Sequence, residues 1–313
     1  MIVSLRPILI VAWPCLLTLA LMLSPASLPL AAEREPVAYI EWYEAPAEYY
    51  RVYSQRGGTA AQNVYHLRPL YEGDRLIVEQ HGVIQISFMG GGSKTLRAES
   101  GPITFDVAAD GADARFDRRG PAGKGASLVA AVVRVLSPHQ EEDQTPPIAV
   151  RIRGPGEGLD LPLLDHDRLQ VAEGKRNVTL TWLGGEAPFE VRLLEPVTRQ
   201  PALQVSGLKE RRLPPQSVSL SKGGYRIEIK DAEGKMVWGE FDVVDRSAVP
   251  RPPVNNTAMP PEVRATVDAT WLANHDGGVW AFESYLGVVG LAPTYPPAQA
   301  LATMLAAGDI PVL

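Results

Sequence analysis

The chain has 313 residues, a formal net charge of −6 at pH 7 and one cysteine, Cys15. The acidic balance argues against a nucleic-acid partner, which requires a basic face. Because Cys15 lies in the apolar N-terminal stretch, the remainder of the chain has neither disulfides nor thiol chemistry. That remainder, about 280 residues, is long enough for two or three domains that each bury a core.

The first 32 residues have the composition of a secretory signal peptide. Arg6 provides a short basic region, residues 8–23 form an apolar run, and small residues lead up to Ala32. We expect cleavage after Ala32, so that the mature protein begins at Glu33 and is periplasmic or secreted. The alternative is an N-terminal anchor kept in the inner membrane, although Pro14 interrupts the run and a spanning helix needs about 20 residues.

Residues 33–107 predict a small antiparallel barrel or sandwich. Tyrosines and β-branched residues are dense in "VAYIEWY" and "YYRVYSQ", and "RLIVEQ" and "GVIQISF" alternate with period two. The stretch "SFMGGGSKTLR" has some likeness to a phosphate-binding loop. However, Ser93 stands where such a loop needs glycine before Lys94, and both flanks are strand-like. We therefore predict a hairpin turn and no nucleotide.

One part of this region resembles the periplasmic FecR-like domain. The stretch is "LRPLYEGDRLIVEQHGVIQISFMGGGSKTLRAESG", about a quarter of the chain with the strands before it. In that family a Gly-Asp-Arg/Lys-Leu/Ile turn precedes two strands, a Gly or Asp turn, a leucine and a further strand. The resemblance implies a periplasmic β-domain, although FecR's own cytoplasmic segment and membrane helix for signalling to a sigma factor have no counterpart in this sequence. The matching positions are Leu70, Gly73, Asp74, Leu76, Ile84, Ile86, Gly92 and Leu96.

Residues 108–245 predict a linker followed by a second β-domain. Within the linker, residues 108–146, the stretch "ASLVAAVVRVLS" predicts one short helix that packs on a neighbouring domain. Residues 147–245 contain seven short candidate strands, the first of them "IAVRIRG", with turn signals about every ten residues. This pattern fits an immunoglobulin-like sandwich without its disulfide, in which Trp182 is a core residue.

The last part of the chain predicts a change to helices. Residues 246–260 form a proline-rich linker, and residues 261–313 contain three helical patterns: "PPEVRATVDATWLANH", "GGVWAFESYLGVVGL" and "YPPAQALATMLAAG". So few short helices are marginal in isolation. We expect this segment to dock on a β-domain of the chain or on another protein.

The polar residues predict no catalytic or metal site. The five histidines have no metal-ligand spacing, and His166 between two aspartates is expected to be part of a polar turn. No serine lies in a nucleophile motif. Asp74 is expected to accept backbone hydrogen bonds in a turn. We therefore predict no enzyme, no cofactor and no metal.

Aromatic residues near the start of the first β-domain form the candidate interaction surface. On a β-face they could stack on sugars or peptides, and otherwise they form the core. The sequence thus predicts a mainly β, exported, non-enzymatic protein that binds or scaffolds a partner protein of a bacterial envelope. The alternative is a glycan- or peptidoglycan-binding module, and the third candidate is an enzyme whose site is assembled from scattered residues. The aromatic residues are Tyr39, Trp42, Tyr43, Tyr49, Tyr50 and Tyr53.

Overall fold

A computed structural model describes most of the chain after residue 34 as a mainly β protein with several sheets and a few helices. The predicted fold class is therefore confirmed. Among the described residues, no helix has the length and hydropathy that a membrane crossing requires. The predicted cleavage site at Ala32 and the predicted strand at residues 148–154 lie outside the described residues. These are residues 35–44, 46–54, 60–108, 124–137, 158–166, 168–195, 200–253 and 259–313.

The first β-domain consists of two antiparallel sheets. One sheet has the order β3-β1-β5-β6 and the other the order β2-β4-β7. Inward residues that alternate along the strands, such as Leu76 and Val78, fill the core between the sheets. The sheets form a sandwich, not the barrel that the sequence also allowed. The strands are β1 (Ala38–Tyr43), β2 (Tyr50–Tyr53), β3 (Pro69–Leu70), β4 (Arg75–Val78), β5 (Val83–Phe88), β6 (Ser93–Arg97) and β7 (Ile103–Asp106).

The glycine run is the turn between β5 and β6, which confirms the predicted hairpin. Gly91 donates its backbone N–H to the Phe88 carbonyl (2.9 Å), and Phe88 donates to the Gly92 carbonyl (3.0 Å). Gly91 and Gly92 have φ values of 96° and 89°, which glycine adopts without a Cβ clash. Lys94 lies on β6, and its ammonium is 4.4 Å from the ring centroid of Phe105.

The second β-domain is a sandwich of a five-stranded sheet, β11-β10-β13-β14-β8, and a two-stranded sheet, β9-β12. β8 runs parallel to β14 and every other pair is antiparallel. This arrangement of seven strands in two sheets is immunoglobulin-like. Trp182 is buried in the core, edge-to-face with Phe189 at 5.1 Å, as predicted. The strands are β8 (Gln170–Ala172), β9 (Gly174–Thr181), β10 (Phe189–Leu194), β11 (Pro201–Leu208), β12 (Arg212–Leu220), β13 (Gly223–Lys230) and β14 (Met236–Val244).

Four α-helices share one hydrophobic core with the second β-domain. α3 is anchored by an ion pair in which Arg176 Nη2 donates to Glu283 Oε1 (2.7 Å), while Glu283 Oε2 accepts the Ala172 N–H (3.0 Å). The C-terminal helices therefore dock on a β-domain of the same chain, one of the two alternatives that the sequence left open. The helices are α1 (Lys124–Leu136), α2 (Pro261–Asn274), α3 (Ala281–Val288) and α4 (Pro296–Ala306).

The first β-domain also contacts this helical layer. β1 is buried on both faces, because Ile40 packs in the core of its own sandwich while Tyr39 packs in the larger core that contains the helices. The hydroxyl of Tyr295, just before α4, donates to the His66 carbonyl (3.0 Å). These contacts place the loop before β3 beside α1 and α4, where the candidate site lies.

Candidate functional site

The candidate site is an open cleft of about 730 Å³. Four segments line it: the loop before β3 and its first residue within residues 65–69, the end of α1 and Ser137 within residues 132–137, α4 within residues 296–304, and the stretch 309–312. Ligand pockets in proteins commonly have volumes of about 300–1,000 Å³. We call this feature the junction cleft, because the first β-domain, α1 and the C-terminal helices meet in it.

The lining of the junction cleft is mostly apolar. On α4, Pro296, Ala300 and Met304 line it at a spacing of four residues, which places them on one helix face. From α1, aliphatic residues such as Val132 face it, and the opposite wall is built from residues such as Leu67. Surface of this kind gains free energy when another apolar group displaces its water.

The polar groups of the cleft are few. Ser137 donates its hydroxyl to the Val133 carbonyl (2.5 Å), and burial raises the pKa of Tyr65. Arg134 is exposed and lies 3.6 Å from the Glu35 carboxylate, and Asp309 is also exposed. The rim therefore carries charges of both signs around an apolar floor.

The chain after α4 forms one edge of the cleft. After α4, Asp309 donates its backbone N–H to the Met304 carbonyl (3.0 Å), and residues 310–313 have no regular secondary structure. The side chains there include the strongly exposed Val312, at 81%, beside the cleft-lining Ile310. Among the described residues, the backbone N–H groups of Ile310 and Val312 have no acceptor.

The six predicted aromatic residues do not form one exposed surface. Tyr39 and Tyr50 are buried, and burial with the nearby Glu41 charge raises the pKa of Tyr39 to about 12. The Tyr50 hydroxyl is held inside the sandwich, where it accepts the Val83 N–H (2.9 Å). These two tyrosines therefore contribute to packing and cannot stack on a ligand at the surface.

The other four aromatic residues are at least partly accessible. Tyr43 stacks on His66 with ring centroids 4.7 Å apart, and Trp42 Nε1 donates to Gln85 Oε1 (2.7 Å). Tyr49 is exposed and Tyr53 is half-buried. Tyr43 and the buried Tyr50 thus form a small aromatic group, with ring centroids 5.3 Å apart in an edge-to-face arrangement. Trp42, Tyr49 and Tyr53 lie outside this group and remain at least partly accessible to a partner.

A bulge in β1 separates the aromatic residues of this strand. The pairing register with β5 shifts between Ile40 and Trp42, so that Glu41 is the extra residue. The Glu41 carboxylate accepts hydrogen bonds from Gln85 Nε2 and Ser87 Oγ, each at 2.5 Å. The aromatic residues before and after the bulge consequently belong to different environments.

Asp74 has the structural role that the sequence predicts. Its side chain is buried, and Oδ2 accepts the Tyr71 N–H (3.0 Å) in a turn where Gly73 has a φ of 86°. The Asp74 N–H donates to the Tyr71 carbonyl (3.0 Å) and closes the same turn. Desolvation raises the pKa of Asp74 above its ordinary value.

The side chain of His166 also makes a structural contact. His166 Nε2 lies 3.0 Å from the Gly308 carbonyl, which ties the second β-domain to the end of α4. Within the described part of the chain, no three His, Cys, Asp or Glu side chains are grouped closely enough to hold a metal ion.

Comparisons with known proteins assign no family. No family model matches the chain, and no curated protein matches it. The FecR-like resemblance therefore remains a sequence-based prediction.

Three solved structures with partial similarity are remote from this chain. CopC from Methylosinus trichosporium OB3b is 23% identical with a TM-score of 0.21, over 25% of this chain and 85% of CopC. The BSP domain of a biofilm-associated protein (13%, TM-score 0.23) and domains 4 and 5 of the S-layer protein SbsC (14%, TM-score 0.21) each align with 64% of this chain. The alignment spans 31% of the BSP-domain chain and 73% of the SbsC chain. At these TM-scores the similarities support no conclusion about function.

Proposed function

We propose that this chain is an exported, non-enzymatic protein of the bacterial envelope that binds an apolar segment of a partner protein in the junction cleft. The observation that carries the proposal is the open apolar cleft where the loop before β3 meets α1, α4 and residues 309–312. Export is supported by the signal-peptide composition of residues 1–32.

The shape of the cleft favours a polypeptide as its occupant. One wall is a helix face with Ala300 at its centre. At one edge, the backbone N–H groups of Ile310 and Val312 have no acceptor among the described residues. A partner segment could insert apolar side chains between α1 and α4 and form main-chain hydrogen bonds with residues 310–312. The charges of Arg134 and Asp309 at the rim would then orient the partner, as polar rims do in protein interfaces.

We assign the cleft a role in binding and none in catalysis. The floor is aliphatic, and the charged residues Arg134 and Asp309 remain in contact with water. Water-exposed charges at a rim add mainly to specificity and association rate.

A charge placed inside the cleft tests this function. Ala300→Arg points a long cationic side chain at the apolar floor, whereas Gln299→Arg places the same side chain on the exposed side of α4. Envelope proteins captured by the wild-type protein would be identified, purified and titrated against all three proteins. We expect at least about a tenfold loss of affinity for Ala300→Arg, or 1.4 kcal/mol, and no loss for Gln299→Arg. Equal binding by all three would refute the cleft as the partner site.

A further inference from the structure

The outer face of the five-stranded sheet carries two exposed apolar side chains. Met236 and Trp238 lie two residues apart on β14, so they project from the same face, and they are 56% and 54% exposed. Gly239 and Phe241, the neighbours on the opposite face, are buried. We call Trp238 with the surrounding side chains of β13 and β14 the Trp238 patch.

The indole of Trp238 is held in place by its neighbours. The Arg226 guanidinium lies 4.5 Å from the ring centroid and is itself fixed by Glu240, with Arg226 Nη2 2.7 Å from Glu240 Oε1. Glu228, the cross-strand partner of Trp238, lies 4.0 Å from Arg226. An aromatic ring that is ordered before binding loses little conformational entropy when a ligand stacks on it.

Charged side chains of the face lie in ion pairs. Arg226 pairs with Glu240 and Glu228, and on the neighbouring strand Arg192 pairs with Glu190 (3.0 Å). These five side chains comprise three carboxylates and two guanidinium groups, a net charge of −1, so they present no concentrated charge of one sign to a strongly charged ligand. Their solvent-facing N–H groups and carboxylate oxygens can nevertheless still donate and accept hydrogen bonds.

We propose that the Trp238 patch binds a neutral glycan, with one sugar ring stacked on the indole and its hydroxyls hydrogen-bonded to Arg226, Glu228 and Glu240. A sugar ring needs one aromatic face and mixed donors and acceptors for its hydroxyls, which is what the patch supplies. A stable protein interface buries about 1,200–2,000 Å² around an apolar core, and two isolated apolar side chains on a charged sheet face do not provide such a core. The observations therefore favour a saccharide over a protein partner.

This site is independent of the junction cleft and of the aromatic residues of β1 and β2. Its residues come from β13 and β14, whereas the cleft is lined by α1, α4, the loop before β3 and the stretch 309–312. The Ala300→Arg variant should therefore bind glycan as the wild type does, so failure of either proposal leaves the other measurable.

Calorimetric titration with chitohexaose and cellohexaose, two neutral hexasaccharides, tests the proposal. We expect binding of at least one of them by the wild type, about a tenfold or greater loss in Trp238→Ala, and largely retained binding in Trp238→Phe, which keeps an aromatic face. Glu99→Ala, which removes an exposed side chain of the other β-domain, is the control and should bind normally. Thermal melts of each variant would establish that the fold is intact.

Three results would overturn the proposal. The first is no heat with either hexasaccharide at millimolar concentration, and the second is unchanged binding in Trp238→Ala. The third is the absence of glycan binding together with loss of a protein partner in Trp238→Ala, which would assign the patch to protein recognition.

Discussion

Replacing Glu283 by alanine should strongly destabilise the protein, because this carboxylate fastens α3 to the second β-domain. The substitution leaves the Arg176 guanidinium without its 2.7 Å partner and the Ala172 N–H without its 3.0 Å acceptor. The two charged side chains are only 20% and 14% exposed. Their pairing is therefore little screened by water or salt.

The magnitude follows from the groups left behind. Removing one member of a buried ion pair costs about 3–5 kcal/mol, and the remaining solvent contact of both side chains places Glu283→Ala near the lower limit, at about 3 kcal/mol. Glu283→Gln keeps an oxygen for the Ala172 N–H and should cost about 1–2 kcal/mol. The double variant Arg176→Met with Glu283→Leu should be more stable than Glu283→Ala, because no buried charge remains.

Urea unfolding followed by circular dichroism would measure these free energies, with hydrogen exchange of α3 as the local readout. Glu99→Ala is the control, since its ion pair with Arg97 is 4.0 Å long and exposed and contributes about 0–1 kcal/mol. If Glu283→Ala matched this control and α3 stayed protected, the ion pair would not be what holds the helix, and our account of docking would be wrong.

Three further substitutions test the described packing. Trp182→Ala should cost about 3–5 kcal/mol in urea unfolding through the cavity left beside Phe189, and an effect below 1 kcal/mol would exclude a core role. Lys94→Ala should cost no more than about 1 kcal/mol, the value of an exposed cation–π contact with Phe105, and ATP or GTP should not raise the Tm of the wild type. Because burial raises the folded-state pKa of Asp74, its proton binds more tightly in the folded than in the unfolded state, where the pKa is about 3.9. Asp74 therefore favours folding most below the unfolded pKa, and stability should fall as pH rises through the folded pKa. Asp74→Asn should flatten that part of the pH profile, and an unchanged profile would contradict the assignment.

Local pattern was sufficient for most of the secondary structure. Period-two alternation and turn glycines predicted strands such as β5 and β13, and the change to helical period after residue 260 predicted α2 to α4. β8 was missed because Gln170–Ala172 is only three residues long, too short for alternation to show. It forms because backbone hydrogen bonds to the Val244 and Leu169 carbonyls hold it parallel to β14, and this pairing is a tertiary effect.

The candidate sites could not be predicted in the same way. The junction cleft is lined by residues as distant in sequence as Leu67, Val132 and Ala300, and no local sequence pattern predicts that they lie together. Trp238 was visible in the sequence as a strand residue, but its exposure depends on the face that the sheet turns outward. The six aromatic residues near β1 do not form one surface, because Tyr39 and Tyr50 are buried and a bulge at Glu41 separates residues of β1, and composition alone shows neither feature.

Site-specific photo-crosslinking tests the central claim, that the junction cleft binds a partner protein, most directly. A p-benzoylphenylalanine residue at position 300 faces the cleft, and the same residue at position 299 faces solvent one position earlier on α4. We expect irradiation of envelope preparations to join a defined protein to the position-300 variant and not to the position-299 variant, and an excess of unlabelled wild type to suppress the product. No product from position 300, or the same products from both positions, would contradict the claim.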